Sequence, residues 1–219
     1  MYKFLTQKEA SAYYSKYYPK ILAYWQKHGH ELRPMLLKKL NIKNKCILDI
    51  ACGDGSILKD LVKNNEVYGI DISESLLRKA RKNRVKTALH DLDENNDLPY
   101  PDLFFDVSLM LEIVEHLFHP KILFKKCSKV LKKNGKIYMT MPNHAYPGRL
   151  ETIQKSLESA LNHVYKEKIP EKAKRFVDIN IMNISKLKKI LSDTGFQIKK
   201  IHGWNWRIED LSARKINEL

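Results

Sequence analysis

From residue 46 onward, stretches with strand character alternate with stretches of helical spacing, and this alternation leaves few folds open. CILDIA, EVYGID, VKTALHD, FDVSLML, KIYMTMP and FQIKKIHGW are short, apolar and bounded by turn residues. Between them lie GSILKDLVKN, SESLLRKARK, PKILFKKCSKVLKK and SKLKKILSDT, with Asn134-Gly135 and Gly195 as the punctuation expected past helix ends. Strands and helices in this order build βα units. The expected fold is α/β, a Rossmann-like, doubly wound and mostly parallel sheet.

Two segments stand outside the alternation. Within residues 8–40, Tyr14, Tyr17, Tyr18, Ile21, Leu22 and Trp25 recur at roughly helical spacing, and Pro19 and Pro34 suggest breaks between short helices. Residues 1–40 are therefore expected to form an N-terminal helical cap on the remainder, 41–219. Leu150, Ile153, Leu157, Leu161 and Val164 fall on one helical face, which predicts an amphipathic helix in an inserted segment, 144–178. Such stripes are more often core than ligand pocket, yet both segments could cover the carboxyl ends of the strands.

The length of 219 residues and 43% hydrophobic content suit one main domain. No stretch reaches the ~20 apolar residues of a membrane span. MYKFLTQKEA lacks the apolar centre of a secretory signal, so a cytoplasmic location is expected. Cys46, Cys52 and Cys127 show no CxxC spacing and read as buried free thiols. The net charge of +15 would favour polyanions such as RNA. Lysine outnumbers arginine about four to one, however, and phosphate and base-edge recognition favours the forked guanidinium. A lysine-rich solvated surface is the plainer reading of the charge.

In an open α/β sheet ligands bind beyond the carboxyl ends of the strands. CILDIACGDG places Asp49 inside a strand and follows it with the small residues Ala51, Gly53 and Gly55, which let a ligand approach the backbone. Asp71 ends the second strand, where a carboxylate can accept both hydroxyls of a ribose. Its removal there is expected to cost ligand binding and little stability. Asp91 and Leu92 follow the third strand, suited to an adenine amino group and to the ring face. A dinucleotide-binding GxGxxG turn fits less well, because Gly53-Asp-Gly55-Ser-Ile-Leu58 lacks the third glycine. Each acid taken alone could merely cap a turn or a helix start.

In this order ILDIACGDG, YGIDIS, HDLDENNDLPYPDLFFDVSLMLEIVEHL, VLKKNGKIYMTMPN and LSDTGFQI resemble the class I S-adenosylmethionine-dependent methyltransferases, and more closely their ubiquinone-biosynthesis-like O-methyltransferase branch. The family has glycine at Ala51 and usually Pro-Gly where Lys133-Asn134 precede Gly135. The resemblance implies S-adenosyl-L-methionine as cofactor and 41–219 as the methyltransferase domain. Asp49 would then hold the backbone or the cofactor's amino group, and Ala51, Gly53 and Gly55 would give it room. Asp71, with Ile72 beside it, would hold the ribose, Asp91 and Leu92 the adenine, and Met110 and Leu111 the methionine part.

Transfer to a hydroxyl needs a base, and His116 and His144 each follow a strand end on the cofactor side. Glu112, Glu115 and His116 would share a face of a helical turn and suit a divalent cation. Similar clusters bind metal in small-RNA 3′-terminal methyltransferases and some ubiquinone-pathway relatives. Asp178 stands where those carry a further histidine, and no metal is assigned. Leu111-Glu112-Ile113-Val114 replaces the Asn/Asp-Pro-Pro-aromatic tetrad of base-amine methyltransferases. A small-molecule acceptor is expected, O-methylated as a metabolite or sugar. The alternatives are an RNA methyltransferase and a non-catalytic cofactor-binding subunit. The family closes its sheet with an antiparallel hairpin, but the tail ending LSARKINEL reads as polar and helical, implying a missing or truncated seventh strand.

Overall fold

The computed structural model of the protein describes residues 6–28, 33–142, 155, 180, 182–204 and 207–215. Its sheet has seven strands among those residues, in the order β3-β2-β1-β4-β5-β7-β6. These are β1 (Cys46–Ile50), β2 (Glu66–Asp71), β3 (Lys86–Leu89), β4 (Phe105–Leu111), β5 (Leu131–Pro142), β6 (Phe196–Trp204) and β7 (Arg207–Lys215). The ladders from β3 across to β5 are parallel, and β7 runs antiparallel to both of its neighbours. Strand order reverses at β1, so the crevice above β1 and β4 is where a ligand is expected.

β1 is buried on both faces, as a central parallel strand must be. Leu48 and Ile50 point into one core with Met110, Phe124, Leu187 and Phe196. Ile47 points into the other with Val67, Leu77, Leu109 and Leu111. The alternation of side chains puts Asp49 on the Ile47 face. The helices are α1 (Gln7–Lys16), α2 (Tyr18–His28), α3 (Arg33–Leu40), α4 (Glu74–Lys82), α5 (Pro120–Val130) and α6 (Ile184–Asp193). α1 opens with a capping box in which Thr6 and Glu9 satisfy each other's backbone amides. Three short helices are separated at the prolines, as the spacing suggested: Pro19 and Pro34 lie in the first turns of α2 and α3, where a missing N–H costs nothing.

The fold differs from the sequence reading in three places. The tail is not helical: Arg207–Lys215 is a full strand slotted between β5 and β6, so the seventh strand is present. GSILKDLVKN is not one helix but two 3₁₀ turns, Ser56–Leu58 and Leu61–Lys63, ended by Asn65, whose side-chain amide donates to Leu61 O and Ile42 O. Cys46 is only half-buried, while Cys52 and Cys127 are buried, and all three are free thiols. The inserted segment 144–178, with His144 and Asp178, lies outside the described residues apart from Lys155. No helix among the described residues is long and apolar enough to cross a membrane.

Gly69 in β2 is fixed by close approach. A methyl group there would lie 2.5 Å from Cys52 Sγ and 2.8 Å from its Cβ, against the chain that leaves β1. Cys52 cannot move aside readily, because its amide donates to Ile70 O at 2.9 Å. Gly69→Ala should therefore destabilise by about 1 to 3 kcal/mol or more. A thermal melt showing an unchanged midpoint would contradict this contact.

Candidate active site

The turn after β1 passes through left-handed backbone three times, at Ala51 (φ 60°), Gly53 (φ 56°) and Gly55 (φ 67°). Asp71 holds it in place. Its Oδ2 accepts the Gly53 amide and its Oδ1 the Ser73 amide, both at 2.9 Å, so one carboxylate joins the β1 turn to the start of α4. Asp71 is buried and bonded to two amides, against the expectation that its removal would cost little stability. Burial pushes its carboxyl up, and the amide hydrogen bonds oppose that shift. Each oxygen keeps a lone pair beyond its amide contact, so ribose hydroxyls could still be accepted.

Asp49 is 1% exposed, and its Oδ2 has no hydrogen-bond partner among the described residues. Burial pushes its carboxyl up to about 8, Arg33 opposes the shift and Asp71 adds to it. Such a group waits for a cation or donor. Asp49 lines a recess of about 360 Å³ with Arg33, Ala51, Gly53, Gln26 and Leu22. Gln26 of α2 donates to Asp54 and Ser56, which fixes that helix against the glycine turn.

An open cleft of about 730 Å³ adjoins this recess, sharing Tyr18, Arg33, Ala51 and Leu111 with it. Its walls carry Asp71, Ile72, His90, Asp91 and Leu92, with Ser11 and Tyr14 of α1 and His116 facing them. Met110 is fully buried beneath the site, and Leu111 supplies its floor. The loop after β3 is built by its acids. Asp93 accepts the amides of Phe118 and His119 at 3.1 Å, and the buried Lys126 ammonium donates to Leu92 O and Glu94 O. Sequence reasoning passed over Lys126 because a lysine in a basic helix looks like surface. It also passed over Ser11, Arg33 and His90, whose roles depend on contacts distant in sequence.

His116 Nδ1 and the Tyr14 hydroxyl share a 2.8 Å hydrogen bond across 102 positions of chain, and Glu115 Oε1 lies 3.8 Å from His116 Nε2. Val114–His116 is a 3₁₀ turn, entered from Glu112 in left-handed backbone (φ 58°). Glu112, Glu115 and His116 therefore do not share the helical face that the spacing suggested. Among the described residues no group of three or more His, Cys, Asp or Glu side chains is placed to hold a metal ion.

Topology and cleft together define an α/β domain of the kind that binds a ligand beyond its strand ends, with a glycine turn after β1 and acids after β2 and β3. Comparison with known proteins narrows this. Residues 48–139 match the family described as "Methyltransferase domain". The ubiquinone biosynthesis O-methyltransferase of Coxiella burnetii is 29% identical over 132 residues, covering 57% of this chain and 56% of that protein. The chain thus spans about half the length of such curated relatives. A solved methyltransferase from Aquifex aeolicus, described as S-adenosylmethionine-dependent, superposes with a TM-score of 0.59 at 16% identity, covering 97% of this chain and all of that one. A methyltransferase solved in complex with the Haloferax volcanii activator Trm112 superposes with a TM-score of 0.68 at 14% identity, covering 96% and 99%. Residues 48–139 are thus similar to a methyltransferase domain, on a fold shared with solved S-adenosylmethionine-dependent methyltransferases, and the cofactor this likeness implies is S-adenosyl-L-methionine.

The residues present suit that cofactor. A carboxylate with an unsatisfied buried oxygen faces a recess that also holds an arginine, which matches the ammonium and carboxylate of a methionine moiety. The adjoining cleft has the size of an ordinary small-molecule site, roughly 300–1,000 Å³.

Two outcomes follow. A raised Asp49 pKa means that the folded, cofactor-free protein keeps a proton that the unfolded chain loses near pH 4, so stability should fall as pH rises from about 5 to about 8. Melts of the cofactor-free protein across that range should show a decline that shrinks in Asp49→Asn; an identical decline would sink the assignment. Asp71→Ala leaves two buried amides without their acceptor and should cost roughly 2 to 4 kcal/mol of stability. It should also weaken S-adenosylhomocysteine binding by about tenfold to several hundredfold. A melt beside a calorimetric titration reads both, and unchanged affinity would remove Asp71 from the ribose subsite.

Proposed function

We propose that the chain is an enzyme that moves the methyl group of S-adenosyl-L-methionine onto a hydroxyl oxygen of a small metabolite or sugar. The observation that carries this reading is the Tyr14–His116 pair on the wall of the cleft, at hydrogen-bond distance and backed by the buried Glu115. The bound cofactor supplies a methyl group already activated on a sulfonium. The chain's own residues bind, align and take up a proton. Asp49 and Arg33 would hold the methionine end, Gly53 and Gly55 would leave room beside it, Asp71 and Ile72 would face the ribose, Asp91 and Leu92 the adenine, and Met110 and Leu111 would floor the site. Holding acceptor oxygen and methyl carbon in line supplies most of the acceleration, with effective molarities on the order of 10⁵ to 10⁸ M for well-oriented groups.

The acceptor proton goes to His116, directly when the acceptor displaces the Tyr14 hydroxyl from Nδ1, or through that hydroxyl. The neighbouring Glu115 carboxylate stabilises the imidazolium that results. α1 and the start of α2 form one wall of the cleft, so these N-terminal helices act as its cover in this reading. The name of the Coxiella relative supports oxygen as the acceptor atom. The net charge of +15 favours RNA as the competing acceptor, and the Trm112-bound neighbour is compatible with a chain that needs a partner.

Incubation with methyl-labelled cofactor and either extracted small metabolites or total RNA separates these readings. Label in the small-molecule fraction, lowered on the order of 10²-fold by His116→Ala, is the expected result. Label confined to RNA and lost with rising salt would replace the small-molecule reading. Turnover only with a partner protein present would make the chain a subunit, and turnover abolished by a chelator would put a divalent cation in place of His116.

A further inference from the structure

The cover helix α1 reaches the base end of the cleft through one side chain. Ser11 Oγ donates to Asp91 Oδ2 at 2.5 Å, across 80 positions of chain, and both residues line the cleft. The other carboxylate oxygen, Oδ1, accepts the Asp93 amide at 3.0 Å. A hydroxyl has one proton and two lone pairs, and a carboxylate has about four acceptor sites. The Ser11 proton is engaged on Asp91, so these two side chains present only acceptors to the cleft: the remaining Asp91 sites and the Ser11 oxygen. An edge made of acceptors recognises a donor, and it repels a carbonyl oxygen placed at the same point. Leu92 and Ile72 beside it supply the apolar surface that a ring would lie against.

We infer that Ser11, on the N-terminal helix, is a cofactor-binding residue which together with Asp91 selects a purine bearing a 6-amino group. The inference rests on the reading of this cleft as the S-adenosylmethionine site, and it adds to that site a residue from outside the methyltransferase core. α1 thereby takes part in cofactor recognition as well as in covering the acceptor. The hydrogen bond between Ser11 and Asp91 orients the carboxylate and fixes which lone pairs face the ligand.

Calorimetric titration with S-adenosylhomocysteine and with S-inosylhomocysteine, whose base carries an oxygen in place of the 6-amino group, tests this. The full chain should bind the adenosyl compound at least about tenfold more tightly, because the inosyl oxygen leaves the acceptors unpaired. Ser11→Ala should weaken S-adenosylhomocysteine by about three- to tenfold and the inosyl compound much less, so that the ratio narrows. Ser11→Thr, which keeps the hydroxyl, should restore the ratio. Asp91→Asn places an amide donor on the same edge and should shift preference toward the inosyl compound. If Ser11→Ala weakens both ligands by the same factor, the residue only docks α1 and the inference is overturned. Equal affinity of the wild-type chain for both compounds overturns it as well. Failure of the wild-type chain to bind either compound would instead remove the cofactor reading on which the inference stands.

Discussion

The carboxylate of Asp71 is the joint on which the site is assembled. Chain leaving β1 must turn through three left-handed residues, an arrangement with little backbone preference of its own outside glycine. What holds it is a pair of charge-assisted hydrogen bonds, from Gly53 on one side and Ser73 on the other, made by a side chain at the end of the neighbouring strand. The closeness of β1 and β2 that these bonds need is permitted by Gly69, which leaves space for Cys52. The glycine turn, the recess and cleft beside it and the start of α4 are thus consequences of one buried acid and one missing side chain.

The centre of the sheet was legible in the sequence because β1, β2 and β4 are largely buried on both faces and therefore written as near-continuous apolar runs. Each of the six strands read from the sequence has its counterpart in the fold, but β5 begins at Leu131, so the helix read as ending at Asn134-Gly135 stops at Val130 instead. β7 escaped because nothing in RIEDLSARK resembles such a run; its strand character comes from the slot between β5 and β6, which offers backbone partners on both sides. The same contrast holds in the site. Asp49, Asp71 and Asp91 could be found because each sits at a strand end in a recurring order. Ser11, Tyr14 and Arg33 could not, since only the docking of the N-terminal helices brings them to the cleft, and that docking depends on contacts 80 and 102 positions apart.

Buried charge around the cleft runs against the composition of the chain. The molecule carries a net +15, yet the walls of its candidate site are built from Asp49, Asp71, Asp91 and Asp93, with the buried Glu115 beside them. Arg33 stands opposite Asp49, and Lys126 faces backbone carbonyls of the Asp91 loop. Burial depresses the Lys126 ammonium, with Asp93 and Asp91 opposing that effect, so the lysine is part of the loop's internal bonding more than of its outward field.

That local acidity fits the chemistry assigned to the cleft better than the overall charge fits a polyanion. A sulfonium cofactor brings two positive centres, the sulfur and the ammonium, and one carboxylate. The acids along the two recesses and Arg33 beside Asp49 answer that distribution in sign. A phosphate backbone entering the same crevice would meet carboxylates at close range, where repulsion in a partly buried site is screened least. The lysines can still steer a polyanion to the outer surface, because exposed charges act over roughly 10 Å at moderate salt. Within the crevice the acids set the local field, and that field disfavours any group entering with negative charge of its own.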